Sequence, residues 1–143
     1  MNSFENIIKL LPLYLEKLLE QKEYLFADLT EGEIKKNFNT REPVSGVFIM
    51  FEKEKPVYVG RSKNLAQRIG IDLRAVSQSQ ATLTYKIMKS EAFEFKTMED
   101  TRNYMYKYFT TKMFRIDDEH ERAIFQIYAS MKLETKYNNF MES

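Results

Sequence analysis

The chain of 143 residues contains no cysteine. That excludes a disulfide framework and any thiolate metal site. Its only histidine is His120, which excludes a histidine-rich zinc centre. No apolar run approaches the ~20 residues that a membrane-spanning helix requires, so no membrane partner is expected. The stretch MNSFENIIKLLPLYLEKLLE is acidic and amphipathic, without the basic start and small-residue cleavage site of a secretory signal. A cytoplasmic protein is expected. There is no internal repeat and no low-complexity tract. An excess of one charge sign is missing as well: the net charge is +1, which argues against a strongly electrostatic nucleic-acid binder.

What the chain does have is unevenly distributed. Residues 1–40 carry five basic and seven acidic side chains, and residues 91–143 carry eight and ten. Residues 41–90 carry nine and four, an excess of +5. A charged face is commonly a solvated face, but this excess surrounds the most structured stretch of the sequence and favours phosphate binding. That stretch is GVFIMFEKEKPVYVGRSKNLAQRI, residues 46–69. Val47 to Phe51 is a run of β-branched and aromatic residues suited to a strand. A charged turn from Glu52 to Pro56 leads into a second strand, Val57-Tyr58-Val59, with Pro56 at its entry, where a missing N–H is tolerated. Gly60 is expected to end that strand, and Ser62 to cap a helix that turns Leu65 and Ile69 inward. A hairpin feeding a basic helix start is a plausible place to hold a phosphate.

The rest of the chain reads as mostly helical. Ile7, Ile8, Leu11, Leu15, Leu18 and Leu19 recur at helical spacing over residues 4–24, with a kink or break expected at Pro12. Thr30 can cap a short helix through Phe38. Helices are expected over Ala81 to Met88 and Thr97 to Phe109, a strand over Thr111 to Ile116, and a last helix after the acidic start Asp117-Asp118-Glu119. The stripe Tyr104, Tyr106, Tyr108 and Phe109 could stack on bases, although helical aromatics are more often core. His120 reads as a surface or capping residue. Three short strands cannot bury both faces of a sheet alone, so helices must cover them. The class is α+β: a small three-stranded antiparallel sheet flanked by helices.

Gly46-Val47-Phe48, followed ten residues on by Tyr58-Val59-Gly60, resembles the paired tripeptides of the GIY-YIG nuclease superfamily. The segment Arg61-Ser62-Lys63-Asn64-Leu65, continuing to Arg68-Ile69, is similar to the family's next segment, whose arginine serves catalysis. The resemblance covers roughly residues 46–140, with its specific motifs in 46–69 and 122–140. It implies a GIY-YIG-like domain over 41–143, preceded by a helical extension over 1–40 that serves packing or homodimerisation. It also implies metal-assisted hydrolysis of DNA phosphodiesters with Mg²⁺ or Mn²⁺.

Residue by residue, the resemblance places Arg68 on the phosphate, where a guanidinium keeps its charge and offers forked donors. It places Tyr58 near the attacking water and Asn138 at the completing asparagine. Plain readings stand beside these: a half-buried strand tyrosine, and a loop asparagine capping the final turn. Arg61, Lys63 and Arg74 are the further basic residues expected to hold substrate. Two positions depart from the family. Phe48 stands where tyrosine is usual, which removes a hydroxyl able to relay a proton. Gln126 stands where the metal-binding glutamate is usual, and an amide oxygen lacks the formal charge a hard dication favours. Glu119 lies two helical turns from Gln126, ~10 Å along the axis, too far for a ligand swap. Asp72, one turn beyond Arg68, is a better substitute carboxylate because it could face the same pocket, but it reads first as the intrahelical ion-pair partner of Arg68. The alternative to an endonuclease is therefore a catalytically inactive nuclease-fold module for nucleic-acid or protein binding. If the two departures alone disable the site, Phe48→Tyr with Gln126→Glu should restore cleavage.

Overall fold

The computed structural model describes residues 3–91 and 94–140. Helix α1 (Phe4–Glu20) is capped by the Ser3 side chain and runs unbroken through Pro12. Pro12 is exposed, so water can reach the carbonyl one turn back that loses its intrahelical donor. The helix stops short of residue 24, because Tyr24 and Leu25 form a two-residue strand, β1. Helix α2 (Glu31–Asn37) follows its Thr30 cap. Strands β2 (Gly46–Glu52) and β3 (Lys55–Ser62) make the expected hairpin. Then come α3 (Leu65–Gly70), α4 (Thr82–Ser90) and α5 (Met98–Tyr108), β4 (Phe109–Arg115), and α6 (Glu119–Leu133), capped by Asp118.

All strand pairs are antiparallel, in the order β1-β4-β2-β3. Among the described residues the sheet therefore has four strands, one more than the sequence suggested. A two-residue edge strand has no period of its own. Tyr24 and Leu25 become a strand only because Thr111 and Thr110 lie beside them.

Strand β2 lies between β3 and β4 and is buried on both faces, which explains why it reads as a continuous apolar run. Val47, Ile49 and Phe51 join a core completed by Ile7, Leu11 and Leu18 of α1 and by Phe125 and Ala129 of α6. Phe48 and Met50 face the opposite core, filled by Ile34, Leu65, Ile69, Leu83, Ile87 and Met105 from α2 to α5. The hairpin turn holds Lys53 and Glu54 at φ 50° and 73°, the left-handed pair that a two-residue hairpin loop requires. Neither is glycine, and tertiary contacts support the bend. Lys53 N–H donates to the Tyr108 carbonyl (3.3 Å), and its ammonium lies 4.7 Å from the Tyr108 ring centroid. Among the described residues, no helix is long and apolar enough to cross a membrane.

Candidate functional site

Strand β3 does not end at Gly60. It pairs with β2 through Ser62, which lies opposite Gly46. Gly60 faces Phe48, and a Cβ on it would overlap the Phe48 ring. The glycine makes room for the ring and does not break the strand. The helix cap consequently moves two residues on: Asn64 accepts from Gln67 N–H (3.2 Å), while Ser62 Oγ accepts from Asn64 N–H (2.9 Å). Leu65 N–H donates to the Val44 carbonyl (2.9 Å), and Leu65, Ala66 and Ile69 are buried. This anchors α3 and leaves Arg68 on its outer side.

Arg68 reaches the start of α4. Its Nη1 donates to the Gln80 carbonyl (3.3 Å) and its Nη2 to Thr82 Oγ1 (2.8 Å). Two of five guanidinium donors are thereby used. The residue also lines an open concavity with Ser62, Lys63, Asn64, Gln67 and Asp72. Asp72 is not its ion-pair partner. The α-helix ends at Gly70 and Asp72 opens a 3₁₀ turn, so the expected helical spacing is lost. The Asp72 carboxylate instead accepts from Gln80 Nε2 (3.0 Å).

Tyr58 and Phe48 lie on one face of the hairpin with ring centroids 6.0 Å apart. Phe48 is fully buried and Tyr58 half-buried against the same core. No hydrogen bond to the Tyr58 hydroxyl is present among the described residues.

The Val59 peptide is the meeting point of the other expected residues. Asn138 Oδ1 accepts from Val59 N–H and Asn138 Nδ2 donates to the Val59 carbonyl, both at 2.8 Å. Thr135 Oγ1 donates to the same Oδ1 (2.7 Å), and Tyr137 N–H donates to the Val57 carbonyl (3.0 Å). The C-terminal segment thus closes the open edge of β3, where unpaired backbone groups would otherwise be exposed. Gln126 reaches the same peptide from α6. Its Nε2 donates to the Val59 carbonyl (3.0 Å), and its Oε1 accepts from Arg61 Nε (2.8 Å). The partners dictate the amide orientation, since a carbonyl only accepts and a guanidinium only donates.

This donor set does not fit a divalent cation. The Gln126 oxygen is neutral and already faces a guanidinium, and the Asn138 oxygen has two donors of its own. Among the described residues no three His, Cys, Asp or Glu side chains gather as a metal would require.

The expected substrate residues divide. Lys63 is exposed beside Arg68 in the concavity. Arg61 is paired with Gln126. Arg74 is removed from the surface role altogether: its guanidinium donates to the carbonyls of Phe26, Ala27, Leu29 and Ile69 and stacks 4.6 Å from the Phe26 ring centroid. It joins residues 26–29 to the end of α3. No hydrogen bond among the described residues links Arg68 to Gln126 or Asn138.

Tyr104, Tyr106 and Tyr108 pack against the core and Phe109 is buried, so this stripe is structural. His120 is exposed near Asp118, as expected. Gln80, Thr82 and Thr135 were missed, since a neutral polar residue in a loop or at a helix start gives no signal until its partner is known.

No family model matches the sequence, and no curated protein matches it. Among solved structures, the chain is similar to the GIY-YIG N-terminal endonuclease domain of UvrC from Thermotoga maritima bound to its catalytic divalent cation, magnesium. Identity is 20%, with 75% of this chain and 97% of that chain covered and a TM-score of 0.44. A tyrosine-to-phenylalanine point mutant of the same domain, also bound to the catalytic divalent cation, matches at 21% identity over 76% of this chain and 97% of that one, with the same TM-score of 0.44.

Proposed function

We propose that this chain is a GIY-YIG-like nuclease-fold protein that binds DNA phosphates without hydrolysing them. Residues 41–143 carry the nuclease-like motifs, and residues 1–40 complete the same sheet with β1 and both cores with Ile7, Leu11, Leu18 and Ile34. The observation that carries this reading is the double commitment of Gln126. At the position of the family's metal ligand stands an amide whose nitrogen holds the Val59 carbonyl and whose oxygen holds Arg61. Phe48, buried in the core on the other face of the sheet, supplies no hydroxyl. Arg68 and Lys63 remain available to a phosphate, within the segment that carries the +5 excess.

The test uses supercoiled plasmid and a labelled duplex. No cleavage is expected with Mg²⁺ or Mn²⁺, and binding should weaken as salt rises, because phosphate contacts release counterions. Arg68→Ala and Lys63→Ala should each weaken binding. Cleavage abolished by Arg68→Ala would overturn the reading, as would binding indifferent to salt.

A second reading, pairing of two copies through residues 1–40, is favoured by Phe4, Ile8, Leu13 and Leu19 standing exposed on α1. Ile8→Glu with Leu19→Glu should then lower the mass in solution. An unchanged mass would remove it.

A further inference from the structure

Tyr85 differs from the other tyrosines. Among the described residues the other eight pack within or against one of the two cores, whereas Tyr85 belongs to neither. Its ring is half-exposed and, among the described residues, pairs with no other aromatic ring. It lines a groove with Thr82, Lys86, Lys89, Ser90 and Asn139. Thr82, Tyr85, Lys86 and Lys89 recur at helical spacing on one side of α4, while Leu83, Thr84 and Ile87 are buried on the other.

The groove adjoins the phosphate site through one hydrogen bond and has a firm second wall. Thr82, at one end, receives the Arg68 guanidinium. Lys86 Nζ donates to the Tyr137 carbonyl (3.0 Å), tying α4 to the segment that Asn138 fixes on Val59. The Lys86 ammonium is partly desolvated, which lowers its pKa. From Thr82 to Lys89 the helix rises about 10 Å, room for two or three stacked nucleotides at ~3.4 Å each.

We infer that this groove takes a segment of single-stranded nucleic acid, one base stacked on Tyr85 and the adjoining phosphates on Lys86 and Lys89, continuing the strand held at Arg68. The inference rests on the phosphate-binding reading above and names its substrate class. An aromatic ring that lines a groove together with lysines suits a base and the backbone that carries it. A duplex keeps its base faces inside the stack and offers Tyr85 nothing. An acidic peptide satisfies the lysines but leaves the ring unused.

The experiment is fluorescence anisotropy with a labelled oligothymidylate, the same strand annealed to its complement, and poly-glutamate as competitor. The single strand should bind more tightly than the duplex. Tyr85→Ala should weaken single-strand binding about tenfold, Tyr85→Phe should retain it, and duplex binding should be unmoved by either. A bromodeoxyuridine strand should crosslink to Tyr85 on irradiation. Equal affinities for the two forms with no response to Tyr85→Ala overturn the inference and leave the phosphate reading standing. Binding of neither form overturns both. Displacement of the strand by poly-glutamate at equal charge also overturns it, in favour of an acidic peptide.

Discussion

Phe48 and Gly60 face each other across the central hairpin, and the Phe48 ring occupies the space that a side chain on Gly60 would need. The two tripeptides that stand out in the sequence are therefore halves of one packing unit. The phenyl ring fills the gap over a strand glycine, and the glycine admits the ring to the core.

Gly60→Ala should destabilise the protein by about 1–3 kcal/mol, because a methyl group is driven into a packed ring. Phe48→Ala should cost about 3–5 kcal/mol through the cavity it leaves. In the double variant the clash disappears with the ring, so the two costs should not add. Urea unfolding of the four proteins measures this. Strict additivity would show that the two residues do not share the space.

Gln126→Glu replaces an amide nitrogen that donates to the Val59 carbonyl with a carboxylate oxygen that repels it. Pairing with Arg61 offsets part of the loss, because exposed ion pairs contribute little. The variant should be about 1 kcal/mol less stable than the parent. Contrary to the expectation from motif departures alone, Phe48→Tyr with Gln126→Glu should gain no plasmid cleavage in Mg²⁺ or Mn²⁺. The new carboxylate would be held by Arg61. Cleavage by the double variant would show that the amide and the missing hydroxyl were the whole defect.

The Tyr14 hydroxyl donates to the buried Glu121 carboxylate at 2.5 Å, joining α1 to α6. Burial, reinforced by this bond and charge, pushes the Tyr14 pKa up to about 12. An unfolded tyrosine ionises near 10, so the folded state holds the proton more tightly. The resulting stability is fully present below pH ~10 and is lost as pH rises through about 12. Burial also raises the pKa values of Tyr104 and Tyr137, so the informative quantity is a difference between variants. Tyr14→Phe should cost about 1–3 kcal/mol at pH 8, where Glu121 loses its partner, and less at pH 11. A gap that stays constant between the two pH values would show that Tyr14 does not titrate as this contact requires.

Much of the fold can be read locally. The apolar run of β2, Pro56 at the entry of β3, the cap at Thr30 and the acidic start of α6 act within a few residues of themselves, and each appears where the sequence places it. Two-sided burial of β2 could be inferred from its lack of alternation. The strand at Tyr24 and Leu25 could not, because its ladder partners lie more than eighty residues away.

The site divides along the same line. Sequence establishes what each residue is able to do: Arg68 and Arg74 are both forked cations, Gln126 and Asn138 both carry amides, and Tyr85 and Tyr106 both carry rings. Tertiary structure decides which of these capacities remain available. Arg74 is committed to carbonyls and Tyr106 to the core, while Arg68 and Tyr85 border open grooves. Gln126 and Asn138 both converge on Val59, across sequence separations of 67 and 79 residues. The reason is physical: hydrogen-bonding capacity belongs to the side chain, but its satisfaction belongs to partners that only the folded chain supplies.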